Sequence, residues 1–370
     1  MLNMAEIDTT ETNTPLTQKR EKASLPDSPI LLGWLRQMML IREFEVRTMQ
    51  AYQNRQIGGF CHIYIGQEAV AVGTIAAVNP DDPVVLAYRD HGHALARGMD
   101  PKYCMAEMFG KIGGCAKGKG GSMHMFDAEH YLYGGHGIVG AQTPLGTGLA
   151  FATKYEDEVI GEGKSDKVTL CYLGDGAINQ GAFYEAMNLA GLFDIPVIFV
   201  LENNRYSMGT AIERGTTMAH ALHAKSEAHG IEHAIVDGKN VMNLYEDFKP
   251  IADWCREESR PFFVEAQTYR YKGHSMSDPR KYRTKMEEEM EEQDDCVASL
   301  STYLQENNDL QPDAIKQLGR QVKSQVRHAV EWSNQSPDTP LDELYTDVYT
   351  DVWGPFKGTS KPEMLQDENE

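Results

Sequence analysis

Two short motifs carry residue types suited to holding a phosphorylated ligand beside a hard cation. Gly174-Asp175-Gly176 closes one apolar run and Asn203-Asn204 closes another, with 26 residues between them. Asp175 offers a carboxylate and Asn204 an amide oxygen. Both are hard oxygen donors of the kind Mg²⁺ takes, because that ion is held by one or two protein groups together with phosphate oxygens. The glycines let backbone approach a diphosphate, and a helix opening after Gly176 would turn its N-terminal N–H groups toward the negative charge. Gly-Asp-Gly alone is common in loops. The pair at this spacing is specific only if a strand precedes each motif and a helix lies between them.

The elements that must position these motifs are legible around them. Val168–Leu173 is a short β-branched and apolar run, hence a strand; Ala177–Leu192 is helical; Val197–Leu201, entered through Ile195-Pro196, is a second strand. Ile231–Val236 and Pro261–Tyr269 follow as further strands, with a helix over Val241–Glu257 between them. Strands alternating with helices imply right-handed crossovers and a parallel sheet. The expected fold class is therefore α/β, a doubly wound, mostly parallel sheet flanked by helices. Both motifs then fall at the carboxyl edge of the sheet, where ligands bind in such folds. Upstream, Leu31, Leu35, Met38, Met39, Arg42 and Val46 recur near helical spacing and predict a helix over Ile30–Gln53; Glu68–Val78 reads as a second, buried one. The segment Gly110–Gly148 is dense in glycine, interleaved with Met123, His124, Met125 and His136, and reads as ligand-facing loop rather than linker.

Other features have blander readings. Gly135–Gly140 matches G-x-G-x-x-G, but no strand is evident over Asp127–Gly134, so a dinucleotide fingerprint is not expected. His91-Gly92-His93 lacks a third metal ligand, and local hydrogen bonding is the expectation. His62 alone would be a buried structural histidine, and Arg89 alone a structural ion pair, although its fork suits a phosphate. The acidic run Met286–Asp295 predicts a solvated helix face. Residues 1–28 and 354–370 read as flexible tails around one α/β domain over 29–353, with an exposed helical C-terminal part.

The pair Gly174-Asp175-Gly176 and Asn203-Asn204 resembles the thiamine diphosphate signature, and the resemblance goes well beyond these two motifs. Gly58-Gly59-Phe60-Cys61-His62, Gly66-Gln67-Glu68-Ala69, Tyr88-Arg89-Asp90-His91-Gly92, Lys117 through Met125, Gly134 through Gly140 and Gly273-His274-Ser275-Met276-Ser277-Asp278 resemble the alpha subunits of thiamine-diphosphate-dependent 2-oxoacid dehydrogenases, the pyruvate enzymes in particular. The likeness runs from about Leu31 to Arg283. It implies that Asp175, Asn204 and the carbonyl of Tyr206 hold Mg²⁺. Tyr88, Arg89 and His274 would contact the diphosphate, with backbone contacts from Gly176 and Ala177. The backbones of Gly137 and Val139 would meet the aminopyrimidine, and His62 and His274 would line the reaction centre. It further implies a separate beta subunit that completes the site and supplies a glutamate, a heterotetramer of two alpha and two beta chains, and a lipoyl-bearing dihydrolipoyl acyltransferase that receives the acyl group. Relatives are phosphorylated in the loop that holds Ser275. Here Arg280-Lys281 precedes Tyr282, a departure that makes an unmodified serine the expectation.

Composition excludes some classes. A net charge of −20 repels nucleic acid and anionic membrane surfaces. No apolar stretch is long enough for a membrane helix. Cys61, Cys104, Cys115, Cys171, Cys255 and Cys296 form no C-x-x-C pair and read as reduced thiols. The polar N-terminus lacks both the apolar core of a secretory signal and the basic character of a transit peptide, so a bacterial cytoplasmic setting is expected. Acetoin dehydrogenase and branched-chain 2-oxoacid dehydrogenase alpha subunits are the enzymatic alternatives. An inactive scaffolding subunit is the non-enzymatic one, and intact Arg89, Asp175, Asn204 and His274 speak against it.

Overall fold

The computed structural model describes residues 20–161, 165–307 and 310–348. The stretch 354–370 and residues 1–19, read as tails, lie outside them. In chain order, α1 (Ser28–Gln53) and α2 (Glu68–Ala76) precede β1 (Val84–Ala87). α3 (His91–Arg97) and α4 (Pro101–Met108) lead through the glycine-rich segment to β2 (Leu132–His136). Then come α5 (Gln142–Tyr155), β3 (Thr169–Gly174), α6 (Gly181–Phe193) and β4 (Val197–Asn203). A small hairpin, β5 (Tyr206–Ser207) and β6 (Thr210–Ala211), runs into the single turn α7 (Ile212–Gly215). β7 (Glu232–Asp237), α8 (Val241–Glu258) and β8 (Phe262–Gln267) follow, and α9 (Lys285–Glu291), α10 (Cys296–Glu306) and α11 (Pro312–Gln335) complete the described helices.

The main sheet has the order β2-β1-β3-β4-β8-β7, and every adjacent pair is parallel. This is the α/β architecture expected. β3 and β4 are buried almost throughout, as strands covered on both faces must be. Their side chains divide by parity. Leu170, Tyr172, Ile198 and Val200 enter one core with α1, α2, α8 and α11; Cys171, Leu173, Phe199 and Leu201 enter a second with α6.

Several boundaries differ from the sequence reading, each for a local reason. β1 has only four residues, and β2 is an edge strand carrying Gly134 and Gly135, so neither shows a sustained apolar pattern. β2 corrects the expectation that no strand precedes the G-x-G-x-x-G segment. Gly135 and His136 lie within β2, and α5 opens two residues after Gly140. The crossover through α5 nevertheless ends at β3, and β1 stands between β2 and β3. The unit thus lacks the adjacent strand pair of a dinucleotide-binding βαβ fold. The predicted helix over Ala177–Leu192 is broken: Ala177–Asn179 is a 3₁₀ turn, Gln180 is extended, and α6 begins only at Gly181. On α1, Leu31, Leu35 and Met38 are core, whereas Arg42 leaves the stripe to pair with Glu68 and Asp295.

The acidic run is also more than a solvated face. Glu287 on α9 accepts from Tyr206 Oη at 2.9 Å and Tyr269 Oη at 3.0 Å. Glu291 pairs with Arg205 and Lys239, and Glu288 with Arg280. α9 therefore braces the segments that follow β4 and β8. His91 and His93 are both buried on α3. His91 joins Glu45 to Ser122, and His93 contacts Tyr64 and Glu202, so their bonds reach across the fold rather than within a loop. Within the first 28 residues, Arg20 pairs with Glu232 and lies over the Trp254 ring.

α5 lies tight against β3. A Cβ at Gly146 would stand 2.7 Å from Cys171 Cβ, whereas one at Gly148 would meet nothing within 4 Å. Gly146→Val is therefore expected to destabilise the protein by about 1–3 kcal/mol, the usual cost of overpacking. Gly148→Ala should leave stability unchanged or raise it by up to about 1 kcal/mol through helix propensity. Thermal or urea unfolding of the two variants checks the pair, and equal effects would contradict the close approach.

Candidate functional site

A cavity of about 780 Å³ opens at the carboxyl edge of the sheet, where the strand ends of β1, β2, β3 and β4 converge with the segment after β8. All eleven residues singled out from the sequence line it: His62, Tyr88, Arg89, Gly137, Val139, Asp175, Gly176, Ala177, Asn204, Tyr206 and His274. Chain order explains the convergence. Tyr88 and Arg89 follow β1, Gly137 and Val139 follow β2, Asp175 through Ala177 follow β3, and Asn204 and Tyr206 follow β4.

Arg89 ties two of these segments together. Its Nη1 donates to Ile63 O at 2.6 Å and its Nη2 to His274 O at 2.8 Å. One buried guanidinium thus fixes the backbone beside His62 and at His274. The three rings then gather, His62 to His274 at 5.0 Å, His62 to Tyr88 at 4.7 Å and Tyr88 to His274 at 5.6 Å between centroids. Burial, then the Arg89 charge, holds His62 far below the ordinary histidine value. The same causes, in the same order, push His274 down to about 4. Both imidazoles are neutral near pH 7 and each can donate or accept a proton. Arg89 is itself pushed down to about 10 by burial.

The oxygens expected to face a cation lie on adjoining loops. Asn204 Oδ1 and Tyr206 O each accept from Arg270 Nη1 at 3.3 Å, so a buried cation already stands beside them. Burial raises Asp175 to about 6, opposed by Arg270, by the backbone N–H groups of Gly176 and Tyr206 and by Arg89. Its Oδ2 has no hydrogen-bond partner. Gly176 is needed beside it, because a Cβ there would strike Ser207 Oγ. Among the described residues no three His, Cys, Asp or Glu side chains group as a metal site. The donors here are one carboxylate, one amide oxygen and one carbonyl, a set that suits a hard divalent ion completed by phosphate oxygens.

Five cavity-lining residues carry a buried polar atom without a partner: His62 Nδ1, Gln67 Nε2, Gln142 Oε1, Asp175 Oδ2 and His274 Nδ1. Orphaned buried polar atoms are uncommon in native proteins. Their concentration around one cavity fits a ligand that is both polar and charged.

Sequence reasoning assigned no role to several residues that line or shape this cavity. Gln67 lay inside a quoted motif without attracting a chemistry. Arg270 looked like one basic residue at a strand end. Asp278 accepts from His274 N and from Tyr282 Oη, and Tyr282 Oη in turn accepts from Arg270 Nη2 at 3.1 Å. Glu107 shapes the glycine-rich segment, accepting from the N–H groups of Ala116, Gly118, Gly120 and Gly121. Clusters of glycines followed by N–H donation to one upstream carboxylate leave no periodic signal.

Comparison with known proteins identifies the chain's family. Residues 36–342 match the family model described as dehydrogenase E1 component. The chain belongs to that family. It is 46% identical over 311 residues to the pyruvate dehydrogenase E1 component subunit alpha of Rickettsia bellii, covering 84% of this chain and 93% of the relative. It is 45% identical to the protein of the same name from Rhizobium meliloti, over 85% and 88%. To the mitochondrial form from Sminthopsis macroura it is 42% identical, over 85% and 84%. E1 components of this family depend on thiamine diphosphate, the cofactor that the sequence resemblance implied.

Asp175 supplies a test of the site that needs no substrate. Its folded-state value lies above the ordinary carboxylate value, so the ionised form is disfavoured by folding, and stability falls as pH rises from about 4 to about 6. Asp175→Asn removes that charge. In the enzyme assembled with its beta subunit, the variant's unfolding temperature without cation or cofactor should be at or above wild type at pH 7.5, while the rise that Mg²⁺ with thiamine diphosphate gives the wild-type assembly disappears. A retained ligand-induced rise would contradict the assignment.

Proposed function

We propose that this chain is the alpha subunit of a pyruvate dehydrogenase, binding thiamine diphosphate through Mg²⁺ and sharing its site with a separate beta subunit. The observation that carries the reading is the single cavity in which the eleven expected residues meet, with five buried polar atoms awaiting partners. The names of the relatives support pyruvate as the substrate.

In this reading Asp175, Asn204 Oδ1 and Tyr206 O hold the cation, which anchors the diphosphate. Tyr88, Arg89 and His274 face the diphosphate, with backbone N–H groups of the Gly176–Ala177 turn in place of a long-helix terminus. Backbone groups of Gly137 and Val139 orient the aminopyrimidine. When bound, thiamine diphosphate supplies the carbanion that attacks the substrate carbonyl and the electron sink that lets carbon dioxide leave. His62 and His274 flank that centre as neutral imidazoles with unpartnered Nδ1 atoms. As neutral imidazoles each can donate a hydrogen bond from one ring nitrogen and accept one at the other without placing a second cation beside Arg89. The acetyl unit leaves on the lipoyl group of a dihydrolipoyl acyltransferase, whose disulfide is reduced as it is acetylated.

A shared site is supported by what stays open. Phe60 is 67% exposed and Ile138 77%, both at the cavity or beside it, and Val139 and Met208 are also exposed. Catalysis of this kind needs water excluded, and this chain alone leaves apolar surface uncovered. No described helix is long and apolar enough to cross a membrane, and the bacterial relatives support a cytoplasmic setting.

Calorimetric titration of thiamine diphosphate with Mg²⁺ tests the core of the proposal. Binding should be tight for the chain co-purified with its beta subunit and weak for the chain alone. Equally tight binding by the lone chain would overturn the shared site. Steady-state rates of the assembled enzyme on pyruvate, acetoin and 2-oxoisovalerate test the substrate. Pyruvate is expected to give the highest kcat/KM, and either rival in its place would reassign the enzyme.

A further inference from the structure

Gln67 is buried to 1% exposure, lines the cavity and belongs to no role assigned above. Its position is set by a tight turn. Gly66 has φ +101°, and a Cβ there would collide with the Tyr269 carbonyl and the Tyr271 ring, so the chain passes closely under the segment that follows β8. Gln67 then precedes α2, with Gly66 N held by Glu68 Oε2 at 2.9 Å.

The hydrogen bonds around Asn204 fix which way each amide faces. Asn204 Oδ1 receives a guanidinium N–H from Arg270 at 3.3 Å and the backbone N–H of Tyr206 at 3.4 Å. Both partners are donors only, so that end of Asn204 must be its oxygen. Its Nδ2 therefore faces Gln67 at 3.0 Å, and the Gln67 atom receiving it must be Oε1. This leaves Gln67 Nε2, with two N–H groups, buried and without a partner. Neither amide can flip without setting donor against donor.

We propose that Gln67 is a positioning residue with two separable tasks. Its Oε1 holds the Asn204 amide so that Oδ1 stays beside the Tyr206 carbonyl and Asp175, ready for a divalent cation. Its Nε2 donates to an anionic oxygen of the phosphorylated ligand that the cation brings. The proposal rests on the reading above that Asp175, Asn204 and Tyr206 hold a cation and that a diphosphate completes its coordination. A donor serving a phosphate oxygen is charge-assisted and worth roughly tenfold or more in affinity.

The two tasks separate in two variants of the enzyme assembled with its beta subunit. Gln67→Glu keeps an acceptor for Asn204 Nδ2 and removes the donor. Gln67→Met keeps the length and removes both. The probes are Mn²⁺, titrated by electron paramagnetic resonance at saturating thiamine diphosphate, and thiamine diphosphate, titrated calorimetrically at saturating Mn²⁺. Gln67→Glu is expected to keep the wild-type metal midpoint or a tighter one while losing roughly tenfold or more in cofactor affinity. Gln67→Met is expected to weaken both. Wild-type binding of both probes by Gln67→Met would overturn the proposal, as would an equal loss of both by the two variants, which is what a merely structural residue would give. Failure of the wild-type enzyme to bind either probe would instead remove the underlying reading of the site.

Discussion

The whole arrangement depends on one directional constraint: six strands that all run the same way. A parallel sheet needs a crossover between neighbours, so every strand ends at the same edge and every return passes over a face. Five residue groups far apart in sequence, from Tyr88 to His274, are thereby delivered to one rim without any long-range signal in the chain. The switch in winding falls between β1 and β3, and the cavity sits over that gap, where two outgoing loops diverge and leave room for a ligand. The same constraint explains the glycines. With helices on both faces, α5 must approach β3 closely, and Gly146 leaves space for Cys171.

That rim is electrostatically expensive. Arg89 and Arg270 are buried there, Asp175 is buried with an unpartnered oxygen, and two histidines are held neutral. Burial disfavours charge, and here it is offset by backbone carbonyls rather than by carboxylate partners. Arg89 spends its donors on Ile63 O and His274 O, and Arg270 on carbonyls of Tyr206, Met208 and Lys272. Neutral oxygens stabilise a guanidinium without cancelling its charge. Each guanidinium thus keeps its charge at the cavity wall, beside the acidic Asp175, Glu202 and Asp278, and can meet an anionic group of a ligand. A carboxylate partner in either place would have stabilised the empty chain more and the loaded one less.

What could be read from the sequence follows from how each feature encodes itself. β3 and β4 are continuous apolar runs because both faces are covered, and the motifs at their ends were therefore placed correctly. β1 is four residues and β2 a glycine-bearing edge, so neither presents a pattern longer than chance. The break at Gln180 is flanked by Asn179 and Gly181, both poor helix formers, but the apolar residues on either side mask it within one helix-length stretch. Gln67 acts through one bond to another amide, Arg270 through several bonds to carbonyls and to side-chain oxygens, and Glu107 through four backbone N–H groups. Such bonds follow no period, so residue type alone could not mark them. The acidic run looked like solvated surface for the same reason: the tyrosines that use Glu287 are Tyr206 and Tyr269, far upstream.

The bracing by α9 shows how the rim keeps its shape while one side stays open. Tyr206 lies past β4 and Tyr269 past β8, and both donate to the one Glu287 carboxylate. Arg283 lies over both of those rings, at 4.6 Å and 4.5 Å from their centroids, and its Nη1 also donates to Arg270 O. The loops that carry Asn204, Tyr206 and His274 are therefore cross-linked from outside the sheet, on the side away from the β2 edge. On the opposite side Glu107 gathers four backbone N–H groups of the glycine-rich segment, and the segment after α11 closes over it through Lys111–Asp338 and Thr339 Oγ1 to Gly110 O and Lys117 O. Bonding on these two flanks leaves Phe60, Ile138, Val139 and Met208 as exposed apolar groups around the mouth. A partner that covers them meets a preformed rim, so the ordering cost of completing the site falls on few side chains.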